Sequence, residues 1–332
     1  MRGYRVWEYG APSTMRLEEI ADLVPGRGEL VVDVKAVGIN FPDGLVISGK
    51  YQSLPPRPFT PGKDLAGVVR AVGESVTAYA PGERVMAQVE HGAFAEQAVV
   101  TPAQSYKLPA GLSFEAAAAM GLVYQTAYFA LVERGQYKAG ETVLIGGAAG
   151  GVGLAAVQIA KGLGARVLAG VRSQDEAAVV REAGADAVID LAVPDLRAGV
   201  RAQVHAATNG YGADVVLDPL GGDFFAAALR AVAWCGRLVI IGFAAGEIPT
   251  LKVNYLLLKN IAVSGLQWSD YRDRTPERIQ AAQKHLFKLW REGVVRPHIM
   301  RTFAFTDLPE AVALVGQGRV QGKAVVSVGK GS

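Results

Sequence analysis

Residues 142–153 read TVLIGGAAGGVG and run on into LAAVQIAKGLGA. A short apolar run of strand character collapses into five glycines and is followed at once by an apolar segment of helical length. Counted from Ala148, the corner is A-x-G-x-x-G ending at Gly153, a dinucleotide fingerprint with alanine in place of the first glycine. In such a turn Gly150 lets the backbone approach a pyrophosphate, and Gly153 lets the helix pack closely on the strand. The free N–H groups at the start of that helix, around Gly151 and Val152, then meet the phosphates together with the positive end of its dipole. Tight strand-to-helix turns also collect glycine without binding anything. Here the strand before, the helix after and a second strand at the expected distance agree on a nucleotide.

Working outward, the pattern repeats: TVLIGG, a helix through Gly164, RVLAGV, a helix through Ala183, AVID, a helix through Thr208, DVVLD, a helix near 224–233, RLVIIG and IAVSG. Buried apolar strands alternating with helices imply a doubly wound parallel sheet of six strands, an α/β unit covered on both faces. Upstream, FEAAAAMGLVYQTAYFALVERG has helical length without Pro-Gly punctuation. The first hundred residues differ. ELVVDVKAVGI (29–39), LAGVVRAVG (65–73), ERVMAQV (83–89) and FAEQAVV (94–100) alternate apolar with polar between Gly and Pro clusters, the pattern of short antiparallel strands in a barrel or sandwich. After a helix around 276–292, strand-like MRTFAFT and KAVVSV return with a helix near 308–315 between them. The simplest arrangement has this tail rejoin the first lobe. The β lobe is then 1–122 completed by 295–332, with the α/β unit of 123–294 inserted.

Length favours two lobes, and half the 332 residues are apolar, enough for sizeable cores. With 34 basic and 31 acidic side chains the net charge is +3, spread along the chain, and no basic block suggests nucleic acid. Cys235 is the only cysteine, which excludes an intramolecular disulfide and a Cys-rich zinc site within one chain. The start, MRGYRVWEYGAPS, has no apolar core of a secretory signal, and the longest uncharged run, 116–132, falls short of the ~20 apolar residues of a membrane span. A soluble cytoplasmic protein is expected.

NAD-binding sheets usually place an acid on the adenosine ribose about 20 residues after the fingerprint. This chain reads LAGVRSQ there, with Gly170 at the position of the acid and Arg172 and Ser173 following. Arg172 can pair with a 2′-phosphate and Ser173 can hydrogen-bond it, which favours NADPH. The plainer alternative is a solvated Arg172 and a Ser173 that caps the next helix.

At this point the whole chain resembles the medium-chain dehydrogenase/reductase superfamily, in its zinc-free quinone oxidoreductase branch. GINFPDGLVISGKY, PGKDLAGVV, PGERV, AAGGVG and GKAVVSV carry the resemblance, in order and over almost the entire sequence. It implies a Rossmann sheet inserted in a GroES-like β-barrel catalytic domain. Zinc-dependent relatives carry a ligand His in a G-H-E motif, where this chain has Gly62-Lys63-Asp64. An ammonium cannot replace a neutral imidazole, no Cys lies near Asn40, and His91, His205, His285 and His298 form no zinc spacing. No metal is therefore expected. Without a Lewis acid, alcohol oxidation needs another way to stabilise the alkoxide, whereas a quinone or α,β-unsaturated carbonyl accepts hydride and delocalises the charge.

The resemblance further implies that Asn40 and Thr126 lie beside the nicotinamide and that backbone near Gly242, Phe243 and Leu266 frames its ring and carboxamide. Asn40 would orient cofactor or a water, or simply form a turn before Pro42, and Thr126 could equally satisfy a helix carbonyl. Tyr51 and Tyr124 are the candidate proton donors, with water as the alternative and plain packing as the bland reading of each. Lys63 has a solvated or supporting role. The expected activity is NADPH-dependent hydride transfer to a quinone or enone. An enoyl-thioester reductase and a non-catalytic NADPH-binding sensor are the alternatives. The family also implies a homodimer through the nucleotide-binding sheet, for which the strand near 261–265 is either the edge or an ordinary core strand.

Overall fold

The computed structural model describes residues 1–329, which divide into two compact units. The first comprises Met1–Val123, Ser269–Phe287 and the tail from Pro297; the second comprises Tyr124–Trp268 and Lys288–Arg296. This division differs from the single insertion of 123–294. Residues Ser269–Phe287 go with the first unit because their polar groups bond there: Gln280 Nε2 donates to the carbonyls of Ala103 and Ser105, and Arg272 Nη2 to Glu90 Oε2.

Along the chain the first unit opens with β1 (Arg2–Arg5), β2 (Arg16–Glu19), β3 (Leu30–Gly38), β4 (Asp64–Val72), β5 (Arg84–Gln88), β6 (Gln97–Val100) and β7 (Ser105–Lys107). The second unit contributes β8 (Thr142–Ile145), β9 (Arg166–Val171), β10 (Ala187–Asp190), β11 (Ala213–Asp218), β12 (Val232–Ile240) and β13 (Ala262–Gly265). The chain then returns with β14 (Ile299–Ala304) and β15 (Lys323–Ser327).

In the first unit β3 is the hub. One side pairs with β4 over the length of the strand, while Leu30–Asp33 also pair with β6 and Ala36–Gly38 with β15, all antiparallel. A strand flanked on both sides is largely buried, which explains the run of Val and Leu at 30–37 without full polar alternation. The sheet runs β14-β15-β3-β4-β5-β7, and no pairing between β14 and β7 closes its ladder among the described residues. The tail therefore rejoins the first lobe as the sequence pattern predicts.

The second unit is a six-stranded parallel sheet in the order β10-β9-β8-β11-β12-β13. Strand order reverses beside β8, so the glycine corner that follows β8 lies at the switch point where open α/β sheets bind ligands. No helix among the described residues is long and apolar enough to cross a membrane.

The helical stretch after Ser113 differs from a continuous helix. It breaks into Phe114–Met120, Leu122–Tyr128 and a wider turn at Phe129–Arg134, where Gly135 N–H donates to the Ala130 carbonyl. The first break falls at Gly121, because the Asp64 carboxylate occupies the space a side chain would need and accepts the Leu122 N–H. A short helix, Trp268–Arg274, stands where the sequence pattern gives none.

Candidate cofactor and catalytic sites

In the second unit the predicted cofactor residues other than Thr126 follow the carboxyl ends of strands. The corner after β8 is pinned from both sides: Gly146 N–H donates to the Leu217 carbonyl of β11 and Ala148 N–H to the Gly170 carbonyl of β9. Gly150 is the N-cap of helix Gly151–Gly162 in extended conformation and supplies no side-chain cap. The first-turn N–H groups of Gly151, Val152 and Gly153 thus lack a side-chain acceptor at a helix start, where the dipole favours an anion. A Cβ at Gly150 would meet nothing nearer than the Gly147 carbonyl oxygen at 3.4 Å, so the face above it is open. A Cβ at Gly153 would overlap that same carbonyl and the Ala148 backbone. Gly150 is thus open where Gly153 is crowded by the turn, and the residues fit a dinucleotide pyrophosphate.

Gly170 lies against Ile145 O and the Leu191 side chain, each 3.1 Å from where its Cβ would stand, so a side chain there would need these neighbours to give by a few tenths of an ångström. Arg172 is exposed at 65 %, its guanidinium 3.3 Å from Glu176 Oε1, and its backbone N–H donates to Glu176 Oε2. Ser173 caps helix Gln174–Glu182 by accepting the Glu176 N–H, the plainer of its two sequence readings, and its hydroxyl retains a hydrogen to donate. Gly242 and Phe243 follow β12, and Leu266 follows β13 with its N–H on the Ile240 carbonyl. Thr126 is buried in helix Leu122–Tyr128.

One feature of this end lay outside the sequence reading. Buried Asp218, at the end of β11, accepts the N–H groups of Leu220 and Gly221 and shapes the turn there. The D-P-L-G-G run was its available signal.

The first unit brings together a buried polar cluster. Asn40 is the N-cap residue of the short helix Phe41–Ile47: its backbone carbonyl accepts the Asp43 N–H at 3.0 Å, and Asp43 Oδ2 accepts the Asn40 N–H at 2.8 Å. The Asn40 amide donates to Asp64 Oδ2 at 2.9 Å, and its Oδ1 accepts from Lys323 Nζ at 2.7 Å. Asn40, Asp43, Asp64 and Lys323 are each at most 3 % exposed. Burial raises the Asp43 carboxyl to about 7 although Lys63 and Lys323 oppose the shift, and it raises Asp64 against the pull of Lys323. Burial likewise lowers Lys323, with Asp64 and Asp43 acting in the other direction. The sequence pointed to Asn40 but missed Lys323 and Asp43; N-F-P-D at 40–43 was a legible capping signal, whereas nothing near Lys323 marked its partner.

Lys63 is buried and donates to Glu90 Oε1 at 2.6 Å and to the Glu90 carbonyl at 3.0 Å. Its ammonium sits 4.9 Å from the centre of the Tyr51 ring. Burial and the Glu90 charge raise the Tyr51 hydroxyl, which therefore stays protonated and able to donate. Tyr124 is different. Its hydroxyl donates to Gln158 Oε1 at 2.8 Å inside the second unit, and Gln158 in turn bonds the backbone of Arg296. Burial pushes the Tyr124 hydroxyl far up, so it stays protonated, with its hydrogen engaged by Gln158.

Around Asn40 the groups present are an amide, ammonium groups and carboxylates, and no cluster of His, Cys, Asp and Glu among the described residues has the makings of a metal site. This donor set does not fit zinc.

Comparison with known proteins places this geometry. The alcohol dehydrogenase GroES-like domain family matches residues 26–110, and the zinc-binding dehydrogenase family matches 151–284. The chain is similar to a quinone oxidoreductase-like protein 2 homolog of Nematostella vectensis, 35% identical over 91% of this chain and 82% of that protein. It is 32% identical to the human synaptic vesicle membrane protein VAT-1 homolog over 92% of this chain and 80% of that one. The crystal structure of Escherichia coli quinone oxidoreductase complexed with NADPH superimposes with a TM-score of 0.91 at 30% identity, covering 99% of this chain and 100% of that chain. The two matched domains lie in the order the fold requires, and the likeness runs nearly end to end; the chain belongs to the medium-chain dehydrogenase/reductase superfamily, in its quinone oxidoreductase branch.

Proposed function

We propose that this chain is an NADPH-dependent oxidoreductase that delivers hydride to a quinone or an α,β-unsaturated carbonyl. The observation that carries the reading is the uncapped glycine start of helix Gly151–Gly162, set at the switch point of the sheet beside a strand whose acid position is filled by a glycine. When bound, NADPH supplies the hydride. The chain's own residues do the rest. Ala148, Gly150, Gly151, Val152 and Gly153 receive the pyrophosphate, Arg172 and Ser173 receive the 2′-phosphate, and Thr126 with backbone at Gly242, Phe243 and Leu266 frames the nicotinamide. In the first unit Asn40 orients the reacting groups and Tyr51, held protonated, donates a hydrogen bond or proton to the acceptor oxygen as charge develops there.

The test is titration of the protein with NADPH and NADH followed by a panel of quinones, enones and acyl-CoA enoyl thioesters. NADPH binding tighter than NADH, with oxidation that depends on quinone or enone, supports the reading; turnover of enoyl thioesters alone replaces it by thioester reduction. Arg172→Ala narrows the preference for NADPH about tenfold if the guanidinium holds the phosphate, the loss of one charge-assisted contact. A second reading is a non-catalytic NADPH-binding protein. Binding without turnover of any acceptor selects it.

We also propose a homodimer through β13, the end strand of the sheet, and a cytoplasmic setting. The edge is preceded by exposed Val253, Leu257 and Leu258, apolar surface of the kind that subunit contacts cover.

A further inference from the structure

The Asn40 amide is held by three partners in the first unit. Its Nδ2 donates to Asp64 Oδ2 at 2.9 Å and to the Gly38 carbonyl at 3.2 Å, while Oδ1 accepts from the Lys323 ammonium at 2.7 Å. Turning the amide over would set an NH2 against an ammonium and an oxygen against a carboxylate. The neighbouring charges therefore permit only one orientation. Lys323 is itself held by the Ile39 carbonyl at 2.6 Å, and Asp64 by the Leu122 N–H. A side-chain amide has two donor hydrogens and two acceptor lone pairs. Both hydrogens and one lone pair of Asn40 are committed, which leaves a single lone pair on Oδ1.

We propose that Lys323 is a positioning residue that fixes the Asn40 amide, so that Asn40 meets a bound ligand only as a hydrogen-bond acceptor. The inference rests on the reading that Asn40 faces cofactor or substrate. The group it takes is then one that brings a hydrogen: a carboxamide NH2, an ordered water or the hydroxyl of a quinol. It does not receive an oxyanion. Negative charge that develops on the acceptor oxygen is left to another donor, and in the same unit the protonated Tyr51 hydroxyl is available for it.

The experiment measures NADPH affinity by fluorescence and kcat/KM with a quinone for Lys323→Met, Asn40→Ala and the double variant of the full chain. With Lys323 acting through Asn40, Lys323→Met weakens at least one readout about tenfold, and adding Asn40→Ala weakens it no further. Losses that multiply overturn the proposal, as does an Asn40→Ala variant without effect on either readout. Because Lys323→Met leaves Asp64 buried without its counter-charge, the same comparison is repeated in an Asp64→Asn background, where both charges are gone and the fold is protected. Wild-type protein that binds NADPH but reduces nothing defeats the reductase reading alone and leaves the affinity cycle to decide this one. Wild-type protein that binds no NADPH defeats both.

Discussion

Gly150 and Gly153 stand three residues apart in one turn and answer to different forces. At Gly150 a methyl group has room, since its nearest neighbour is 3.4 Å away, and the extended backbone suits any residue. Gly150→Ala is expected to leave stability within about 0.5 kcal/mol while weakening NADPH binding about tenfold, because the methyl group enters the space of the pyrophosphate. At Gly153 the added carbon would strike backbone that cannot swing away. Gly153→Ala is expected to cost about 1–3 kcal/mol in chemical denaturation whether or not cofactor is present. Asp43 gives a pH signature. Its carboxyl is raised from 3.8 to about 7 in the folded protein, so the native state holds a proton that the unfolded chain releases. The stability it lends is complete below pH about 4 and is lost as pH rises through about 7, with a slope of up to about 1.4 kcal/mol per pH unit. Asp43→Asn, which still accepts the Asn40 N–H, is expected to remove that slope; urea midpoints at pH 5 and pH 8 that shift equally in both proteins would refute the assignment.

At the scale of elements, the strands were readable because their physics is local. Short apolar stretches set between Gly and Pro clusters mark β3 to β6, and the apolar runs VLI, VLAGV, VVL and LVI mark β8, β9, β11 and the end of β12. The break in the helical stretch after Ser113 is not legible locally because its cause lies 57 residues upstream, in Asp64, and no short window of sequence contains both groups. Lys323 was unreadable for the same reason, 283 residues separating it from Asn40. The candidate pyrophosphate residues at 148–153 were legible because one turn carries them; the polar cluster of the first unit was not, because segments far apart in the chain assemble it. The Gly121 break offers a direct check. Gly121→Ala puts a methyl group into the Asp64 carboxylate and displaces its bond to Leu122 N–H, with an expected loss of about 2 kcal/mol in urea denaturation and a fall in kcat through Asn40, which Asp64 also holds.

For the molecule as a whole, the testable quantity is its assembly. The exposed side chains of Leu257 and Leu258, at 79% and 73%, precede the free edge of β13, and their burial against a second copy is the expected reason they are apolar. Light scattering at micromolar concentration is expected to give twice the 34.9 kDa chain mass, and Leu257→Glu with Leu258→Glu to return it to the monomer. A monomeric wild type would rule out the edge as an interface under those conditions.

The pairing of β15 with β3 has a consequence for synthesis. All six strands of the second sheet lie between Thr142 and Gly265, so that sheet has its whole complement once the middle of the chain has left the ribosome. The first sheet does not. Its hub strand is made early and waits for β15, and Asn40 waits for the ammonium that fixes it, until Lys323 has been translated. The nascent chain therefore has reason to acquire its nucleotide fold first and its polar cluster last, and a ribosome stalled before Lys323 would carry a polypeptide equipped to hold a dinucleotide with Asn40 still unanchored.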